Sequence, residues 1–138
     1  MRVLFIILVS FLFTKSFSVN SQALETVDVT IDGIRYIGEV KNGKRHGKGK
    51  QIEPNGATYE GEWKNDQMHG KGVFINPDGI SYEGEMKNGQ MHGQGILVEK
   101  EGKYEGEFLN GKMHGEGVLN LNDGRVFKGE FANGKYVG

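Results

Sequence analysis

The chain has 138 residues, among them 23 glycines and no cysteine, with 17 Lys and Arg against 18 Asp and Glu. Without cysteine there is no disulfide, no thiolate metal site, no cysteine nucleophile and no lipidated N-terminal cysteine. The formal charge of −1 becomes −3 when Arg2 and Lys15 are set aside with residues 1–23, a balance with no general attraction for nucleic acid or an anionic membrane.

Residues 1–23 read as a secretory leader. Met1-Arg2 is a short basic start, Val3 to Phe13 is an apolar run broken only by Ser10, and Thr14 to Ser18 turns polar with small residues following. A transmembrane helix needs roughly 20 apolar residues, so this signal helix is short for a span. Cleavage between Ser18 and Ala23 is expected, which predicts a secreted or periplasmic protein; the alternative is an uncleaved N-terminal membrane anchor. Every glycine lies from Gly33 onward, so composition breaks sharply after the leader. Residues 24–138 suffice for one small domain, held by its sheet and aromatics alone.

Residues 24–35 predict a capping strand. Val27, Val29 and Ile31 alternate with Asp28, Thr30 and Asp32, and Gly33 precedes Tyr36 by three residues as Gly56 precedes Tyr59. This is half of the unit that follows.

From Tyr36 the chain repeats itself. Tyr36, Tyr59, Tyr82, Tyr104 and Phe127 are spaced 23, 23, 22 and 23 apart. Each is followed by Gly two residues on and then by Glu, while His46, His69, His92 and His114 each fall ten residues after their aromatic. The units are 36–58, 59–81, 82–103, 104–126 and a partial 127–138. In 59–81, Tyr59, Gly61 and Trp63 alternate with Glu60 and Glu62, the period of a strand. Lys64 to Met68 reads as a polar loop, and a second alternation starts at Gly70. Asn76-Pro77-Asp78-Gly79 ends it as a type I turn with a left-handed glycine. One unit is therefore a β-hairpin plus a turn, and the absence of a 3.6-residue apolar stripe excludes a helical repeat. Glycine inside a strand is costly, and the expected reason is room for a ring from a neighbouring strand to lie on bare backbone. The fold predicted is all-β: an elongated, twisted, single-layer antiparallel sheet of about ten stacked hairpin strands. The third unit lacks one residue before Tyr104, which predicts a tighter turn there.

The copies YIGEVKNGKRHGKG (36–49), YEGEWKNDQMHGKG (59–72), YEGEMKNGQMHGQG (82–95) and YEGEFLNGKMHGEG (104–117), with FKGEFANGKYVG (127–138), resemble MORN repeats (membrane occupation and recognition nexus). Departures from that pattern are Val40 and Met86 where Trp or Phe is usual, Asp66 for Gly, and Tyr136-Val137 for Met-His. The resemblance implies a ribbon of hairpins used as a protein–protein interaction module, often dimerising, with phospholipid binding in some members. Some members carry a phosphoinositide kinase domain beside the repeats; no residues here correspond to one.

No residue set points to catalysis, a cofactor or a metal. Four histidines in matching positions of successive hairpins stand about 9.6 Å apart by strand spacing, marginal for sharing an ion. Their recurrence marks them, with Tyr36, Tyr59, Trp63, Tyr82, Tyr104, Phe108 and Phe127, as structural, each ring expected to hold the preceding loop by a hydrogen bond. The pairs Glu60/Glu62, Glu83/Glu85 and Glu105/Glu107 have a glycosidase-like spacing but recur as a repeat position, which reads as a solvated acidic stripe. Beyond residue 21 the only serine is Ser81. One local departure stands out: Lys41, Lys44, Arg45, Lys48 and Lys50 give residues 36–58 a net charge of +3, against −2, −1 and −2 for the next three units. If any part meets an anionic phospholipid, this is it. Phe127, Phe131 and Tyr136 sit where the repeat stops and predict an edge for a homodimer. The function expected is a non-enzymatic scaffold or adaptor outside the cytoplasm that binds a protein partner or itself; the alternative is a peripheral phospholipid-binding module.

Overall fold

The structure, a computed structural model, describes residues 23–138, so the expected leader lies almost wholly outside the described residues. These residues form eleven strands: β1 (Glu25–Ile31), β2 (Ile34–Lys41), β3 (Lys44–Ile52), β4 (Thr58–Lys64), β5 (Gln67–Ile75), β6 (Ser81–Lys87), β7 (Gln90–Glu99), β8 (Gly102–Leu109), β9 (Lys112–Leu121), β10 (Val126–Ala132) and β11 (Lys135–Tyr136). They make one open antiparallel sheet in strict chain order, one strand more than expected because Lys135–Tyr136 adds a short last one. At about 4.8 Å per step the eleven strands span roughly 48 Å.

Turns fix the register. The hairpin tips within each unit are two-residue turns with both residues left-handed, such as Asn42-Gly43 (φ 53° and 69°) and Asn88-Gly89 (51° and 77°). These are the turns whose twist matches that of paired strands. Asp66 adopts φ 70° where the other tips have glycine, an uncommon place for a side chain. Between units, Asn76 accepts from the N–H of Gly79 (3.1 Å) and donates to the carbonyl of Ile80 (2.9 Å), the turn read from Pro77 and Gly79. The third unit closes instead on Lys100-Glu101, with Glu99 paired to Gly102, the tighter turn its missing residue predicted.

Pairing brings nine glycines into one row across the ribbon. Val27, Gly38, Gly49, Gly61, Gly72, Gly84, Gly95, Gly106, Gly117 and Gly129 are successive cross-strand partners. A Cβ at Gly61 would stand 2.5 Å from the Cα of Gly72, and one at Gly72 would run into the Tyr59 ring. The same contacts recur for Tyr36 over Gly49, Tyr82 over Gly95 and Tyr104 over Gly117. Rings on bare backbone are thus the core, and they all lie on one face.

Between these tyrosines stand the other rings. Trp63 meets Tyr36 and Tyr59 edge-on at 5.5 and 5.2 Å, and Phe108 meets Tyr82 and Tyr104 at 5.2 Å each. Met86 fills the equivalent place between Tyr59 and Tyr82, so the ring stack is interrupted once by a flexible side chain. Burying each such side chain stabilises the sheet by about 1.5–3 kcal/mol.

One expectation about local structure is corrected. Lys64 to Met68 is not a loop: the turn is only Asn65-Asp66, and β5 begins at Gln67. What breaks the alternation is a bulge, because between the pairs Gly61–Gly72 and Glu62–His69 one strand advances one residue and the other three. Gly70, left-handed at φ 59°, absorbs the extra length. Equivalent shifts recur in β2–β3, β6–β7 and β8–β9.

Candidate interaction surface

The bulges decide which polar groups remain available. At each one the tyrosine hydroxyl donates to the carbonyl beside the register shift: Tyr36 to Glu39 (2.7 Å), Tyr59 to Glu62 (3.1 Å), Tyr82 to Glu85 (2.6 Å) and Tyr104 to Glu107 (3.0 Å). That is a physical reason for tyrosine rather than phenylalanine in the complete units. Burial pushes the hydroxyls of Tyr36, Tyr59 and Tyr82 up to about 12, and that of Tyr104 upward as well.

The second glutamate of each unit is also engaged. Its carboxylate folds over the left-handed glycine of the bulge, Glu39 on Gly47, Glu62 on Gly70, Glu85 on Gly93 and Glu107 on Gly115. From there Glu39 accepts the N–H of Lys48 at 2.6 Å, Glu85 that of Gln94 at 3.2 Å and Glu107 that of Glu116 at 3.3 Å. The acidic pairs therefore divide: one member caps a bulge and the other faces water. The Glu60 and Glu105 side chains are 69% and 62% exposed.

The histidines do not hold the loops in the way expected. Among the described residues none bonds the loop before it; His46 alone reaches a loop, its Nδ1 accepting from Asn65 N–H at 3.4 Å in the tip of the next unit. What links one hairpin tip to the next is backbone: the second turn residue donates to the carbonyl just before each histidine, Asp66 to Arg45 (2.9 Å), Gly89 to Met68 (3.0 Å), Gly111 to Met91 (2.9 Å) and Gly134 to Met113 (2.9 Å). The four imidazoles are half-buried. Among the described residues no three His, Asp or Glu side chains gather closely enough to hold a metal ion.

The five basic residues do not form one cluster. Arg45 pairs with Val40 on the aromatic face, whereas Lys41 and Lys44 face each other at the hairpin tip. The Arg45 guanidinium lies 4.3 Å over the Trp63 ring and bonds Asp66 at 3.1 Å, so it belongs to the packing between the first two units. Lys50 reaches Glu60 at 3.4 Å. Lys41, Lys44 and Lys48 make no ion pair among the described residues. Sequence reasoning marked both Arg45 and Asp66 as unusual, but nothing local joins residues 21 apart.

The C-terminal edge also differs from expectation. Phe131 is 1% exposed and packs on Tyr104 at 4.9 Å, so it is core rather than edge. Phe127 is half-buried against Tyr136 at 5.4 Å, and Tyr136, 41% exposed, is the one ring of the three on the surface. The backbone of β10 is partly covered as well, since Val137 donates to Glu130 and Glu130 to Gly138.

Opposite the aromatic face is an outer face built from the alternate residues. Its central row runs Ile37, Lys50, Glu60, Val73, Glu83, Ile96, Glu105, Val118, Lys128 on successive strands β2 to β10. Two adjoining shallow depressions of about 480 and 520 Å³ lie along it, floored by the backs of glycines such as Gly84, Gly95 and Gly106. Open, periodic and exposed, this face is suited to contact rather than to enclosing a small molecule.

A scan against protein-family models matches the MORN repeat at residues 36–58, 59–81, 82–98, 104–124 and 127–138. A search of curated proteins found no match. Five matched copies, all in step with the glycine row, cover most of the chain, which belongs to the MORN repeat family.

Proposed function

We propose that this protein is a non-enzymatic scaffold that works outside the cytoplasm and uses the outer face of its ribbon to hold a protein partner or another copy of itself. MORN repeats often serve protein or membrane interaction, which sets the class. The observation that carries the reading is the division of labour among the polar groups. Tyrosine hydroxyls and one glutamate per unit are held within the bulges, while Glu60, Glu83 and Glu105 stand exposed beside half-buried Val73, Ile96 and Val118. Long rows of alternating charged and apolar side chains without an enclosed cavity favour a macromolecular partner. The export half of the proposal is supported by the composition of residues 1–23.

The test is affinity capture from the secretome or envelope of the producing cell, comparing the native protein with an outer-face variant carrying Glu60→Lys and Glu83→Lys. A protein captured by the first and lost by the second supports the scaffold; a profile that does not change with the outer face contradicts it. N-terminal sequencing of the exported product checks the leader, and finding Met1 intact favours an anchor. The alternative, phospholipid binding through the first unit, is left with Lys41, Lys44 and Lys48 as unpaired groups, Arg45 and Lys50 being engaged. Weak co-sedimentation with anionic liposomes is therefore expected.

A further inference from the structure

We propose that the long edge of the ribbon formed by the hairpin tips is a binding rim for an extended anionic polysaccharide. This site lies apart from the outer face; only the choice of a polysaccharide over other polyanions rests on the reading that places the protein outside the cytoplasm. The inference comes from where the pairing register puts the lysines. Each of the five tips carries at least one at the residues flanking its two-residue turn: Lys41 and Lys44, then Lys64, Lys87, Lys112 and Lys135. None of the six makes an ion pair among the described residues, and all but Lys41 are exposed. The single acid among the flanking and turn residues is Asp66, already bonded to Arg45. From Lys44 onward these lysines stand 20 to 25 residues apart in the chain, so no charge run reveals the row.

Net charge conceals the row too. The opposite long edge, where one unit turns into the next, carries Asp32, Glu53, Asp78, Glu99, Glu101 and Asp123 against Lys100 and Arg125. The two edges lie a strand length apart, roughly 25 Å, so at about 0.1 M salt each acts on its surroundings separately. The nearest acids on the rim side, Glu39, Glu62, Glu85 and Glu107, are folded onto their bulge glycines. They temper the field but leave the lysines outermost.

Spacing and twist decide the class of ligand. Successive tips are two strands apart, about 9.6 Å, so five tips extend over roughly 38 Å. That interval is about one screening length at 0.1 M salt, so neighbouring tips reinforce one another on a polymer. Adjacent strands of a sheet rotate by roughly 20–25°, which turns each tip about 40–50° from the one before. A planar membrane meets one or two such tips at a time. A flexible chain with carboxylate or sulfate groups on its sugars follows the winding rim and meets all five. Lysine suits that task, being a mobile, hydrated point charge that demands no bidentate geometry.

The experiment is fluorescence anisotropy of labelled heparin oligosaccharides of increasing length, titrated with protein purified from cells expressing the full sequence, at about 0.05 M and about 0.3 M salt. Binding is expected at the lower salt, weakened at least about tenfold at the higher, and tightening with length until about 38 Å is spanned. Lys64→Glu, Lys87→Glu and Lys112→Glu together should weaken it at least about a hundredfold at an unchanged urea midpoint. Lys48→Glu, Lys50→Glu and Lys71→Glu together make the same change in net charge away from the rim and should cost less than about tenfold. No binding at the lower salt overturns the proposal, as does an equal loss in the two triple variants. Phosphatidylglycerol vesicles bound as tightly through the same lysines overturn it in favour of lipid, and single-stranded DNA of equal length bound as tightly overturns the assignment to a polysaccharide. The variant carrying Glu60→Lys and Glu83→Lys should keep the rim's binding, so failure here leaves capture by the outer face to stand or fall by its own test.

Discussion

Tyr59 and Glu60 are neighbours in the chain, yet one is 3% exposed and the other 69%. The same contrast separates Tyr82 from Glu83 and Tyr104 from Glu105, and it runs the length of the sheet. A period of two places one residue of each pair on the aromatic face and the next on the outer face. The aromatic face is closed on itself, ring over glycine and hydroxyl on carbonyl, and it determines whether the ribbon exists. The outer face contributes little to that and is free to vary with whatever the ribbon touches. A single-layer sheet thereby separates stability from recognition without a second layer.

The largest expected effect comes from ionising the aromatic face. Tyr36, Tyr59 and Tyr82 have hydroxyls raised to about 12 in the fold, above the ordinary 10, so the native state holds their protons more tightly than the unfolded chain. That stabilisation is complete below pH 10 and is lost as pH rises through 12. Ionising each buried hydroxyl costs the fold on the order of 2–3 kcal/mol at most. Urea midpoints measured from pH 8 to 12 in high salt, where exposed pairs are screened, should fall steeply only above 10; a flat profile would break the contrast. Next, Trp63→Ala should destabilise by about 3–5 kcal/mol, removing a ring shared by two units. Glu60→Ala on the outer face should change stability by less than about 0.5 kcal/mol. Smaller again, Met86→Phe should make the ring stack continuous and add about 0.5–1 kcal/mol by urea unfolding. If it destabilises, the Met86 site is shaped differently from those of Trp63 and Phe108.

Much of this is legible in the amino-acid sequence. The 23-residue period, the turn at Pro77-Asp78-Gly79 and the room that strand glycines leave for rings are local signals, although the rings lie on only one glycine of each pair, Gly49, Gly72, Gly95 and Gly117, and the facing glycine meets backbone instead. What was hidden depends on partners distant in sequence. The two extra residues at each His-Gly bulge shift the register without altering composition, so Lys64 to Met68 resembled a loop. The second glutamate looked like a member of a solvated stripe because its role, capping a left-handed glycine eight residues on, exists only once the hairpin closes. Arg45 counted as part of a basic patch until Asp66 and Trp63, one unit away, removed it. Phe131 looked like an edge because the repeat stops soon after it, whereas Tyr104 covers it from the preceding unit.

The central claim is that the strand glycines are bare because rings lie on them, and a double-mutant cycle between Tyr59 and Gly72 tests it most directly. With Tyr59 present, Gly72→Ala should cost about 1–3 kcal/mol; with Tyr59→Leu the same change should cost at least about 1 kcal/mol less. Costs that add to within about 0.5 kcal/mol would show that ring and glycine do not sense each other, contradicting the account.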